Sequence, residues 1–491
     1  MDKKASADGV VYQHVDKQYF ESRTLKRYAG VWSLWALGVG AVISGDFFGW
    51  NFGLAAGGFG GLLIATIIIT IMYVGLGYSI AEMTATLPHT GGAYSFGRTA
   101  MGPWGGFITG LAENMEYVLT PAVIVIGIGG YFGSIANSLL GINLQEPVWW
   151  TLAYLIFVGL NIRGVEMTFR FSVIITMIAL SILLVFWIGA IPLFSFDQAL
   201  NIPATEGHSS FLPFGISGIM NALPFAIWFY LAIEQLPLAA EESHQPSRDI
   251  PKGMLWGLLT LVIAAFLTLF LNAGISPGAA AVGASDEPLF LAFTTIFGPG
   301  IAPWLALIAV AGLVASFHTI IYAYGRNIYS LSRAGYFPRW LSVTGPSQTP
   351  KVALIAGATV GFVIALIIKY APTDGGIPVG PALLNMAVFG ALIAYVMQLV
   401  SFIILRKKFS HLERPFKSPL GIVGAGIALL ICVLALVFLL MNEEYRVGIW
   451  GCAAWIIVGT IWFALRGKTQ LVFSPEEEFA FKARESAALQ N

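Results

Sequence analysis

Four acidic side chains sit in stretches that carry no base. Asp46 lies in WALGVGAVISGDFFGWNFGL, Glu113 and Glu116 in GLAENMEYVLTP, and Glu234 in LPFAIWFYLAIEQLP. In apolar surroundings a carboxylate costs several kcal/mol unless it is protonated, bonded to a neighbouring helix or facing a cation. A group of acids without bases therefore suits the binding of a positive charge, either an organic ammonium or a coupling ion. Glu113 and Glu116 are three residues apart and share a helix face. One of the two is free to meet a bound cation, and Glu113 suits helix packing or a proton relay. Trp228, Phe229 and Tyr230 add aromatic faces close to Glu234, as Tyr117 does next to Glu116, and such faces attract organic cations. The competing reading of each aromatic is plain packing, and that of each acid is a hydrogen bond to a neighbouring helix.

The remaining reactive groups are sparse. His318 is the one histidine inside an apolar run, flanked by the hydroxyls of Ser316 and Thr319. His14, His89, His208, His244 and His411 fall in polar joints without metal-ligand spacing. Neither a metal cluster nor a nucleophile–base pair is legible, so no catalytic residue, metal site or cofactor is expected. An enzyme is disfavoured on the same ground, and a possible coupling ion, proton or sodium, stays open. Cys432 and Cys452 lie in apolar runs, outside any CxxC, and give no disulfide framework.

The elements that must position these groups follow from composition. The 491 residues are 57% hydrophobic and 11% charged, against roughly 25% charged in soluble domains. That excludes an ordinary soluble enzyme. The 26 basic and 26 acidic residues cancel, so nothing points to nucleic acid. A bilayer-spanning helix needs about 20 apolar residues. Runs of that kind predict twelve transmembrane helices near 31–56, 60–87, 104–136, 148–162, 171–194, 213–238, 254–275, 301–325, 352–370, 381–405, 418–441 and 447–465, with a short surface helix at 289–299. The fold class is an all-α membrane protein embedded in a lipid bilayer.

Basic residues are retained on the cytoplasmic side of membrane proteins. With the amino terminus inside, every Lys and Arg except Lys369 and Arg446 falls in a cytoplasmic segment. Both termini are therefore expected in the cytoplasm, and no cleaved signal peptide is read. Glu116, about 12 residues into its span, lies roughly 18 Å deep. Two spans look broken. Span 1 combines five glycines with Ser44-Gly45-Asp46, which weakens a helix interior. Span 6 carries Gly215, Gly218, Pro224 and Pro237, and proline disrupts the helix ahead of it. They open two five-span halves of opposite orientation, as in an inverted repeat with its site between broken helices.

Four motifs, in order and on the expected side, carry a resemblance. GVGAVISGDFF, AEMTATLPHTGGAYSF, AAEESHQPSRDIPKG and YGRNIYSLSRAGYFP resemble the amino acid–polyamine–organocation transporter superfamily. The resemblance implies a five-plus-five inverted repeat with broken helices 1 and 6 and two appended helices. It divides the chain into a cytoplasmic segment 1–30, repeats at 31–195 and 213–405, helices 11 and 12 at 418–465, and a tail at 466–491. It places Glu116, Tyr117, Trp228, Phe229 and Tyr230 at the substrate, Glu234 in coupling or gating, Ser316 and Thr319 where sodium-coupled relatives use hydroxyls, and Glu82 and Arg163 at the cytoplasmic end.

One departure bears on the substrate. Amino-acid-carrying relatives read G-S-G in the unwound segment, where free amides hold the substrate carboxylate. Here Asp46 replaces the last glycine, and a negative side chain repels a carboxylate and attracts an ammonium. ISGDFFGWNFGL is similar to the ethanolamine permease branch. The expectation is a secondary transporter for a small amine such as ethanolamine, held by Asp46 and Glu116 with Ser44 and Gly45 nearby. A cationic amino acid or polyamine carrier is the alternative within the superfamily. Saturable uptake would separate a carrier from a channel, and the absence of a Walker sequence argues against ATP-driven transport.

Overall fold

The computed structural model describes residues 4–5, 9–370, 379–441 and 446–490, so Lys3 of the basic amino-terminal segment lies outside them. The chain opens with β1 (Lys4–Ala5), β2 (Val11–Gln13) and a short α1 (Lys17–Glu21). It continues through α2 (Val31–Val42), α3 (Phe52–Thr86), α4 (Gly92–Met101), α5 (Pro103–Leu140), α6 (Glu146–Arg163), α7 (Val165–Ala190) and α8 (Phe196–Ala199). Then come α9 (Gly215–Trp228), α10 (Pro246–Ala273), α11 (Ala279–Gly283), α12 (Pro288–Phe297), α13 (Ala302–Arg333) and α14 (Lys351–Tyr370). The chain closes with α15 (Val379–Lys408), α16 (Gly421–Met441), α17 (Arg446–Leu465), β3 (Leu471–Val472) and α18 (Pro475–Gln490).

Among the described residues ten segments are long and apolar enough to cross a membrane. They coincide with the expected spans other than the first and fourth. The first is α2 with its extension to Asp46, apolar but shorter. The fourth is α6, whose eighteen residues end in Glu146 and Arg163. The helix expected at 289–299 is α12.

Both breaks exist, and one of them moves. From Ile43 to Asp46 the backbone tightens into a 3₁₀ turn, and it turns again at Gly49, φ +97°, before α3 begins. The boundary expected between the first two spans falls at Gly58, φ +70°, where a β-carbon would meet the Pro213 ring. The second break is not at the prolines. Helix α9 runs through Pro224 to Trp228, and Pro237 sits inside the 3₁₀ stretch Ile233–Glu242. The chain leaves the helix between them, at Phe229–Ala232, where Ala232 takes φ +82°. Packing accounts for the position: a β-carbon on Gly45 would overlap the Trp228 carbonyl oxygen. The two interruptions therefore lie directly against each other, and only glycine admits the approach.

The chain ends meet at one end of the bundle. β2 pairs antiparallel with β1 and parallel with β3. The buried Glu477 accepts from Arg98 Nε at 2.7 Å, Tyr12 OH at 2.6 Å and Tyr336 OH at 2.9 Å. Burial pulls the Arg98 guanidinium down, and the adjoining Glu477 more than reverses that, holding it above its usual range. Arg333 pairs with Glu241 at 2.5 Å and with Glu476, and Arg326 with Glu242 at 2.8 Å. Glu82 takes Arg406 at 2.5 Å, Arg414 at 3.1 Å and the Ser418 backbone N–H at 2.7 Å. At this end Glu82, Glu242, Glu476 and Glu477 are buried, and each has an arginine.

Candidate functional site

Inside the bundle the pattern reverses. Asp46, Glu113 and Glu116 have no exposed surface and Glu234 has 2%. Among the described residues none of the four forms an ion pair with Lys, Arg or His.

Three of them form one cluster. Glu113 and Glu116 come from successive turns of α5, which sets them on one side of that helix. Glu234 enters at the start of the 3₁₀ stretch, placed there by the turn at Ala232. Glu113 accepts from Tyr117 OH at 3.1 Å and from Asn327 Nδ2 at 2.9 Å, and Asn114 Nδ2 donates onward to Asn327 at 2.9 Å. Tyr395 OH donates to Glu116 at 3.4 Å and lies 3.0 Å from Tyr73 OH. Glu234 joins the cluster through Tyr117 OH, 3.5 Å from its Oε1, so Glu116 and Glu234 share this polar patch. One oxygen of each, Oε2 in both, has no donor. The cluster can therefore hold a positive charge between two carboxyls, walled by tyrosine.

Neither Asp46 oxygen has a hydrogen-bond partner among the described residues. The helix that leads to it, α2, packs against α10, with Leu34 facing Gly253 and Val39 facing Gly257. Tyr230 shares a 2.6 Å hydrogen bond with Thr70 and packs its ring 5.1 Å from that of Tyr73, which continues through Tyr395 to Glu116. No hydrogen bond among the described residues joins Asp46 to Glu116.

The other expected residues hold the broken segments. The Ser44 N–H donates to Ser316 Oγ at 2.9 Å, and Ser316 Oγ donates to the Gly40 carbonyl at 2.7 Å. One hydroxyl of α13 thus satisfies two backbone groups freed by the break. Thr319 turns its hydroxyl back to the Ala315 carbonyl at 2.8 Å. Trp228 Nε1 donates to the Phe48 carbonyl at 2.9 Å, and Phe229 stacks on Trp50 at 5.4 Å. Both rings brace the turn at residues 47–51. His318 lies elsewhere, its ring between Asn161 Nδ2 at 3.1 Å and the Thr168 carbonyl at 3.3 Å, edge-on to Phe171. It ties α13 to α6 and α7. Arg163 is exposed at the end of α6.

Tyr73, Tyr395, Thr70 and Asn327 complete the site, and sequence reasoning passed over them. Their one signal is a polar atom in the middle of an apolar run, shared by many tyrosines and threonines that only pack.

Comparison with known proteins agrees with this architecture. Residues 34–473 match the family described as amino acid permease. An uncharacterized transporter of Rhizobium meliloti (strain 1021) is 28% identical over 451 residues, 90% of this chain and 92% of that protein. The branched-chain amino acid permease BcaP of Bacillus subtilis (strain 168) is 27% identical over 459 residues, 90% of this chain and 93% of its own. The methylthioribose transporter of the same organism is 25% identical over 437 residues, covering 83% and 88%. With ten apolar helices of spanning length among the described residues and a family match over most of its length, the chain is a multi-pass integral membrane transporter, not an enzyme, and belongs to the amino acid permease family.

Proposed function

We propose that this protein is a secondary active transporter for a small cationic amine that lacks a carboxylate, ethanolamine foremost, working by alternating access across the cytoplasmic membrane. One observation carries the reading: four buried acids in the bundle have no basic partner among the described residues, while Glu82, Glu242, Glu476 and Glu477, buried at the end with the chain termini, each have an arginine. A transported cation is the missing partner. The names of the relatives span branched-chain amino acids and methylthioribose. Family membership therefore leaves the substrate to the site.

In this reading Asp46 takes the ammonium at the broken segment of α2, with Ser44 and Gly45 forming the backbone around it. Glu116 and Glu234 hold the coupling proton, since carboxyls clustered in a buried site cannot all carry a bare charge. Glu113 and Tyr117 extend that proton station. The two interruptions, the basic residues and the shared end of both termini support a twelve-helix inverted repeat with both termini in the cytoplasm.

Uptake of labelled ethanolamine into proteoliposomes tests this reading. An inward proton gradient is expected to drive accumulation, a sodium gradient is not, and excess lysine or arginine should leave uptake unchanged. Uptake that ignores both gradients, or that lysine abolishes, would overturn it.

A further inference from the structure

Asn272 lies on α10 one turn beyond Thr268, and the site described above leaves it unused. It is fully buried, and neither its amide nitrogen nor its amide oxygen has a hydrogen-bond partner among the described residues. Protein interiors rarely leave both ends of an amide unmet. Residues four apart on a helix share a face, with β-carbons about 6 Å apart, so Asn272 projects on the same side of α10 as Thr268, which accepts from Trp187 Nε1 at 3.3 Å. Helix α10 runs beside α2, where a β-carbon on Gly253 would meet Leu34 and one on Gly257 would meet Val39, so the continuation of α2 to Asp46 comes level with the last turns of α10. Two unmet groups of different chemistry therefore lie by the last turns of α10. One is a carboxylate that only accepts, and the other is an amide that both donates and accepts.

An ammonium answers the first and a hydroxyl answers the second. We propose that Asn272 recognises the hydroxyl of the transported amine: Oδ1 accepts the hydroxyl proton and Nδ2 donates to the hydroxyl oxygen, while Asp46 holds the ammonium. This rests on the reading of Asp46 as the ammonium site and adds a specificity to it. The preferred substrate is then a 2-amino alcohol, not an alkylamine of equal length. A two-carbon amino alcohol with a hydrogen bond of about 2.8 Å at each end spans on the order of 8 Å. A site built around a hydrogen-bonding group rejects a methyl in its place, because the buried amide is then left unmet.

The test compares binding of ethanolamine and n-propylamine, in which a methyl replaces the hydroxyl, to the purified full-length protein. The wild type should prefer ethanolamine by at least about tenfold. Asn272→Leu should bring the two affinities together by weakening ethanolamine while leaving propylamine as tight or tighter. Asn272→Ala, read the same way, serves if the leucine variant does not fold, and the ratio within one sample is independent of how much protein is active. An unchanged ratio, or equal loss of both amines, would overturn the assignment. Asp46→Asn separates this failure from failure of the underlying reading. If Asp46→Asn binds both amines as the wild type does, the ammonium site is wrong. If it loses both while the Asn272 variants keep the wild-type ratio, only the hydroxyl assignment is.

Discussion

Replacing Asp46 with asparagine is expected to weaken ethanolamine binding about a hundredfold without destabilising the protein. The first half follows from charge: a buried, charge-assisted contact contributes up to about 3 kcal/mol, and each 1.4 kcal/mol is about a factor of ten. The second half follows from the geometry. Neither Asp46 oxygen has a hydrogen-bond partner, so the amide breaks no existing contact, and it removes a buried charge that is costly while the site is empty. Calorimetric titration of the purified variant gives the affinity and thermal unfolding gives the stability. Wild-type affinity would remove the charge argument, and a large drop in melting temperature would make Asp46 a structural group.

The opposite profile is expected of Arg326→Met. Arg326 and Glu242 are both fully inaccessible, with the guanidinium 2.8 Å from one carboxylate oxygen and its carbon 3.8 Å from the Tyr322 ring centre. Glu242 also receives the Tyr28 and Ala29 backbone N–H groups at its carbonyl, at 2.7 and 2.8 Å, which docks the amino-terminal segment. Removing the arginine leaves a buried carboxylate uncompensated, at a cost of about 3–5 kcal/mol. The melting temperature in detergent should fall clearly, and adding Glu242→Gln should recover most of the loss because the orphaned charge disappears. A variant as stable as wild type would show that the pair is not what holds this end closed. The two substitutions each alter a buried acid's electrostatics, yet their effects should differ because one acid has a resident partner and the other does not.

The contrast between paired and unpaired acids was legible in the sequence because it depends on charge placement alone. No Lys or Arg falls near Asp46, Glu113, Glu116 or Glu234, and membrane helices make such placement a strong constraint. The first break was equally legible, since Ser44-Gly45-Asp46 disfavours helix locally. The second was not. Phe229, Tyr230, Leu231 and Ala232 carry no helix-breaking residue, and the prolines nearby mark other positions. That break is imposed by close approach of the Trp228 carbonyl to Gly45, a tertiary contact between residues far apart in the chain. The terminal sheet was missed because β2 and β3 are three and two residues long, too short for a period-two pattern, and their pairing joins opposite ends of the sequence.

The central claim is that the unpaired acids select an amine without a carboxylate. Serine is ethanolamine with a carboxylate on the carbon that bears the amine, so the pair differs by the group in question. Equilibrium binding of both to the purified wild-type protein, at one pH and salt concentration, is the most direct measurement. Ethanolamine is expected to bind at least about a hundredfold more tightly, because a carboxylate beside Asp46 adds like-charge repulsion to its own desolvation. Serine binding as tightly as ethanolamine, or more tightly, would contradict the account.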